Sequence, residues 1–140
     1  MNMFDTNFQL LTKEANRMGY KVTLVSSRYV SSLGHLTKHI NISKQSGEVN
    51  SIYEFAHELG HCIQFKLRWD RLNGDKEAVK QFYRNRDKSK MRFMFDELEA
   101  WVRGFSILYK NNINTKGFCS HTFHCLSSHF KKTKPNSVKN

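Results

Sequence analysis

Residues 57–61 read His57-Glu58-Leu59-Gly60-His61, and these five residues constrain the fold more tightly than any others in the chain. Apolar residues at Phe55, Leu59, Ile63 and Leu67 place the motif on a helix. Residues four apart lie about 40° apart around a helix axis, so both imidazoles leave the same face. Each offers one nitrogen to a single cation at about 2.0–2.1 Å. Glu58 stands beside that position, where a carboxylate can take a proton from an activated water. A catalytic zinc site needs a third protein ligand and an open position. The chain must therefore fold so that a second element delivers that ligand to this helix.

The choices for the third ligand are few. No His occurs between His61 and His121. The place of the third metzincin His is taken by Leu67, and Gln64 stands where that class has Gly. Acidic candidates lie on a later helix, marked by an apolar stripe through Met91, Met94/Phe95, Leu98, Trp101/Val102, Phe105 and Leu108. They are Asp96, Glu97 and Glu99. Glu97 and Glu99 are about 200° apart around that helix, so only one of them can face the cation. Periodicity alone leaves the choice open.

Ala56-His57-Glu58-Leu59-Gly60-His61, followed downstream by Glu97-Leu98-Glu99-Ala100, resembles the small gluzincin-type zinc metallopeptidases. The nearest group is the ImmA/IrrE-like class, common in bacteria, mobile elements and phages. The resemblance covers residues 36–110, and its specific elements are HExxH and E-x-x-A. It implies a minimal zincin-like α+β domain: an N-terminal helix, a small sheet, and the HExxH helix packed against a second, Glu-bearing helix. It implies Zn²⁺ held by His57, His61 and Glu97, with Glu58 as general base in peptide-bond hydrolysis. It favours Glu97 over Glu99 and makes Ala100 the small residue that lets the helices approach. Many relatives carry Asp or Asn four residues after the ligand Glu; this chain has Trp101. That departure, with the small size and the charge, keeps a second reading open: an inactive zincin-fold protein that binds nucleic acid or a host regulator.

Other chemistry-bearing residues are less specific. Tyr53, Tyr109, His121 and His124 are candidates to stabilise an oxyanion, unranked by the sequence. Cys119, His121, His124, Cys125 and His129 fall within a short segment and are all zinc-ligating types. A helix there aligns His121, Cys125 and His129 on one face; the same helix packs Phe118, Phe123, Leu126 and Phe130. Cys62 reads as a small buried residue.

The rest of the chain frames the motif. Phe4, Phe8, Leu11, Ala15 and Met18 mark a first helix ended by Gly19. Lys21–Ser26 and Leu36–Ser43 read as strands, with a turn at Ser31–Gly34 between them. Ser51 and Glu54 fit a capping box opening the HExxH helix. Asn73-Gly74 breaks that helix, and Asp75–Arg86 reads as a polar one. The whole is one domain over residues 1–130, with a basic flexible tail from Lys131 to Asn140. The substrate groove is expected between the HExxH helix and the Leu36–Ser43 strand.

Charge bears on partners. Lys and Arg number 23 against 12 Asp and Glu, a net +11, and residues 66–92 hold ten basic and four acidic side chains. Trp69, Phe82 and Tyr83 interleave with them. Basic and aromatic mixing suits single-stranded nucleic acid, and equally a solvated helix hairpin. No apolar run is long enough to cross a membrane. Three cysteines, an odd number, and no evident secretory signal fit a reducing cytoplasm.

Overall fold

Asn2 opens the first helix: its side-chain oxygen accepts from the Asp5 N–H at 2.8 Å, and α1 runs Met3–Arg17. Phe4, Leu11 and Ala15 form its buried face. Gly19, at φ 87°, then turns the chain in a backbone conformation that a Cβ disfavours. Three strands follow, β1 (Lys21–Val25), β2 (Ser32–Gly34) and β3 (His39–Ser43). The structure is a computed structural model and describes residues 2–26 and 28–132. Among these residues the sheet has the order β1-β3-β2, with β1 parallel and β2 antiparallel to β3. Ile40 and Ile42 alternate inward from the central strand and are fully buried.

Two strand readings need correction. Ser31–Gly34 reads as a turn, yet Ser32–Gly34 pairs with β3 and forms an edge of the sheet. Leu36–Ser43 reads as one strand, yet only His39–Ser43 pairs. Lys38 adopts φ 55°, a left-handed conformation that breaks the extended chain just before β3.

The HExxH helix also starts earlier than the capping box implies. α2 spans Glu48–Arg71, with Gly47 as N-cap at φ 91°. The Ser51 hydroxyl lies 2.7 Å from the carbonyls of both Ser43 and Gly47, so it ties the first turn of α2 to the end of β3. Asp75 caps α3 (Lys76–Asp87) by accepting from the N–H groups of Glu77 and Ala78. Ser89 caps α4 (Lys90–Lys110), and α5 (Phe118–Lys132) closes the described chain. The basic tail read from Lys131 begins inside the last turn of α5, and residues 133–140 lie outside the described residues.

The molecule is an α+β domain built around α2. The central strand β3 and α1 pack against that helix, and α4 makes the most extensive contact with it. Leu11, Ile40, Ile42, Phe55, Leu59, Trp101 and Leu108 fill the core between them. Contact between α2 and α4 is unusually close at two points. A Cβ on Gly60 would meet the Ala100 carbonyl oxygen at 2.1 Å, and one on Gly104 would meet the Ala56 carbonyl oxygen at 2.8 Å. The pairs Gly60–Ala100 and Ala56–Gly104 thus let the two backbones touch, which brings residues 57–61 against residues 97–101. No helix of the described residues is long and apolar enough to cross a membrane.

Candidate metal centre

The close approach of α2 and α4 brings three side chains together. His57 and His61 leave one face of α2, and Glu97 faces them from α4. One ligand atom from each lies within 4.8 Å of the others. Glu97 Oε2 is 2.5 Å from His61 Nε2, and Glu97 Oε1 is 3.7 Å from His57 Nε2. His57 and Glu97 are 7% and 5% exposed, so the cluster sits below the surface. Glu99 is elsewhere: its carboxylate accepts from Gln64 at 2.7 Å and faces Arg103 at 3.6 Å. Asp96, also buried, points to Arg68 and Arg86.

Neighbouring groups hold each ligand. His61 Nδ1 meets Gln64 Oε1 at 2.8 Å. The Gln64 amide is oriented in turn by donating to the Asp96 carbonyl at 2.9 Å and to Glu99. That leaves His61 Nε2 bare toward Glu97. The His57 ring lies flat on Trp101, with centroids 4.1 Å apart and planes 8° apart. Trp101 thus supports His57 by stacking. On the far side, His129 Nε2 from α5 reaches Glu97 Oε1 at 3.1 Å.

Electrostatics follow from this crowding. Burial disfavours the charged form of His57, but the adjacent Glu58 and Glu97 carboxylates outweigh it and carry its pKa up to about 9. Burial likewise works against ionised Glu97, yet His129, His57 and His61 hold its carboxyl far below the usual carboxylate range. Glu58 behaves the same way: burial raises it, and His57 with His61 brings it below its ordinary value. Glu58 Oε1 lies 3.4 Å from His57 Nδ1.

These residues fit a divalent cation. His57 Nε2 is buried and has no hydrogen-bond partner, an uncommon and costly state that a metal bond would relieve. Two imidazole nitrogens and a carboxylate oxygen are the donors zinc accepts.

The cluster opens onto a cleft of about 570 Å³. Val30, Ser31 and Leu33 line it on the sheet side, while His121, Cys125 and His129 line it from α5. The groove is therefore bounded by β2 and α5. It does not lie against β3, because β3 is the central strand and both its edges are already paired. His35 also lines the cleft, stacked on Phe65 at 4.3 Å; burial, with His61 nearby, pushes its pKa down to about 4.

Of the four oxyanion candidates, His121 and His124 line the cleft. Tyr53 does not: its hydroxyl donates to the carbonyls of Asn114 and Lys116, fastening α2 to the loop before α5. Tyr109 is exposed on α4, away from the cleft. The His and Cys segment does form a helix. His121 and Cys125 turn toward Glu54 on α2, His129 toward Glu97, and Cys119 is exposed. Phe118 and Leu126 pack on the core, but Phe123 and Phe130 are exposed. Cys62 is buried.

The basic and aromatic stretch folds partly on itself. Arg68 stacks over Phe82 and Tyr83, Arg86 over Tyr83 and Phe93, and both guanidinium groups pair with Asp96. Two of its ten cations are thus used internally.

Comparison with family models, with curated proteins and with solved structures gives no match.

Proposed function

We propose that this chain is a zinc-dependent metallopeptidase of the gluzincin type, related to the ImmA/IrrE-like class, which hydrolyses peptide bonds of a protein substrate. The observation that carries the reading is the convergence of His57, His61 and Glu97 at the floor of a cleft, with Glu58 beside them. His57, His61 and Glu97 would hold the ion. When bound, Zn²⁺ supplies Lewis-acid polarisation of a carbonyl and acidifies a water.

The protein's own groups do the remaining work. Glu58 is ionised at neutral pH, held so by His57 and His61. It accepts a proton as water attacks the scissile carbonyl, and returns it to the leaving amine. The edge strand β2 offers unpaired backbone groups along which an extended substrate can align. His124 is within the same cleft and can donate to the developing oxyanion. We place the protein in the reducing cytoplasm, in keeping with its three free cysteines.

A degenerate peptide library, with products read by mass spectrometry, tests the reading. The zinc-loaded chain should cleave it, and Glu58→Gln should keep its zinc while losing about 10²–10⁴-fold in rate. Cleavage by Glu58→Gln at the wild-type rate would overturn the assignment. A library left intact by the zinc-loaded wild-type chain would favour a binding protein that keeps the scaffold without hydrolysis.

A further inference from the structure

Three more zinc-ligating side chains meet one turn farther along the same helix. Glu54 lies three residues before His57, about 4.5 Å back along the α2 axis. Its Oε2 is 2.9 Å from His121 Nε2. That same nitrogen is 3.5 Å from Cys125 Sγ. One ligand atom from each residue lies within 4.8 Å of the other two. The trio draws on two helices far apart in sequence, and all three residues line the cleft.

Proton counting argues against a simple hydrogen-bonded group. An ionised carboxylate only accepts. Nε2 either donates its one proton to Glu54 or accepts from the Cys125 thiol, so one of its two contacts goes without a hydrogen bond. A cation at the shared point bonds all three atoms at once. The distances suit it. In a tetrahedral zinc site, N and O ligands stand about 3.3 Å apart and N and S ligands about 3.6 Å. The Nε2–Sγ separation is already there, and the Nε2–Oε2 pair needs to open by only about 0.4 Å. The parts are also held in place: Ser31 Oγ donates to Glu54 Oε1 at 3.4 Å, and the Trp101 ring stands edge-on to His121 at 5.9 Å. Trp101 lies face-on to His57, so it forms a wall between this trio and the first cluster.

We infer that Glu54, His121 and Cys125 form a second metal site, for a borderline divalent cation of the zinc class, beside the His57–His61–Glu97 centre. Three protein ligands leave one position open to the cleft. A bound ion also staples α5 to α2 and fixes the wall of the groove opposite β2. This inference stands whether or not the chain is a peptidase.

Cobalt(II) distinguishes the two sites, because only the second contains sulfur. Titrating the full chain with Co²⁺ should produce thiolate-to-cobalt charge-transfer absorption in the near ultraviolet. A His57→Ala/His61→Ala variant should keep that band and take up one equivalent of metal fewer. Cys125→Ser, a near-isosteric change at a half-buried position, should lose the band, while Cys119→Ser and Cys62→Ser should retain it. Absence of the band from the wild-type chain overturns the inference without reference to any variant. So does a band that survives Cys125→Ser.

Discussion

Gln64 decides how His61 presents itself. Its amide nitrogen donates to the Asp96 carbonyl and to Glu99, so the amide oxygen must face His61 Nδ1. Nδ1 then carries the proton, and Nε2 keeps its lone pair for a metal. Gln64→Met preserves volume and length but removes the acceptor. Zinc affinity, measured by competition with a chromophoric chelator, should fall about 10–100-fold while the fold is retained. Unchanged affinity would mean that packing alone sets the His61 ring. This role was not legible in the sequence, where Gln64 marks only a departure from the metzincin pattern. His57, Glu58 and His61 were legible, because a fixed helical spacing is local. Glu97 could be preferred over Glu99 only through the E-x-x-A resemblance, since exposed and buried apolar residues alternate around α4 and blur its buried face. In the sequence Glu54 fits a capping residue; its partner His121 is 67 positions away, a separation that no local pattern reports.

At the scale of elements, the decisive contact is the crossing of α2 and α4. Gly60 belongs to the HExxH motif yet contributes no ligand; its part is to have no side chain. Gly60→Ala would improve intrinsic helix propensity by about 1 kcal/mol. The added Cβ would nevertheless stand 2.1 Å from the Ala100 carbonyl oxygen, a backbone atom that no rotamer change can move away. Overpacking of this kind costs about 1–3 kcal/mol or more, so the net effect should be destabilising, with weaker zinc binding as Glu97 is pushed from the His pair. Urea denaturation and a zinc titration check both; a Gly60→Ala chain as stable as wild type and equally avid for zinc would show that the helices are free to separate. Ala100 as the close-packed small residue was implied by the resemblance, but the reciprocal Ala56–Gly104 contact was not. The helices themselves were well marked by apolar periodicity. The ends were not: a Ser-x-x-Glu pattern is short and recurs by chance, and here the helix starts at Glu48, with Ser51 already inside it and bonded to the carbonyl of Ser43. β2 leaves no mark in the sequence, because three residues are too few for alternation to register.

Across the whole molecule, a metal at the first centre adds a bond between parts of the chain that are far apart in sequence: α2 through His57 and His61, α4 through Glu97, and α5 through His129 on Glu97. An ion that binds only the folded chain stabilises it by about 4 kcal/mol at a thousandfold excess over Kd. In a domain of this size that corresponds to a Tm rise on the order of 10 °C. The pH dependence of that rise has a definite sign. Without metal, the His57 pKa is raised from 6.5 to about 9 by Glu58 and Glu97 against the opposing effect of burial. The stability gained from protonated His57 is fully present below 6.5 and is lost as the pH climbs through about 9. Metal binding runs the other way, since the ion must displace that proton and so binds more tightly as the pH rises. This single linkage widens the gap between the zinc-loaded and chelated chains from pH 6.5 to 9. Scanning calorimetry of Cys125→Ser, with and without chelator, isolates the first centre from the proposed second one. A gap that stays constant or narrows over that interval would mean that the ion does not compete with the proton on His57, and the ligand set would have to be redrawn.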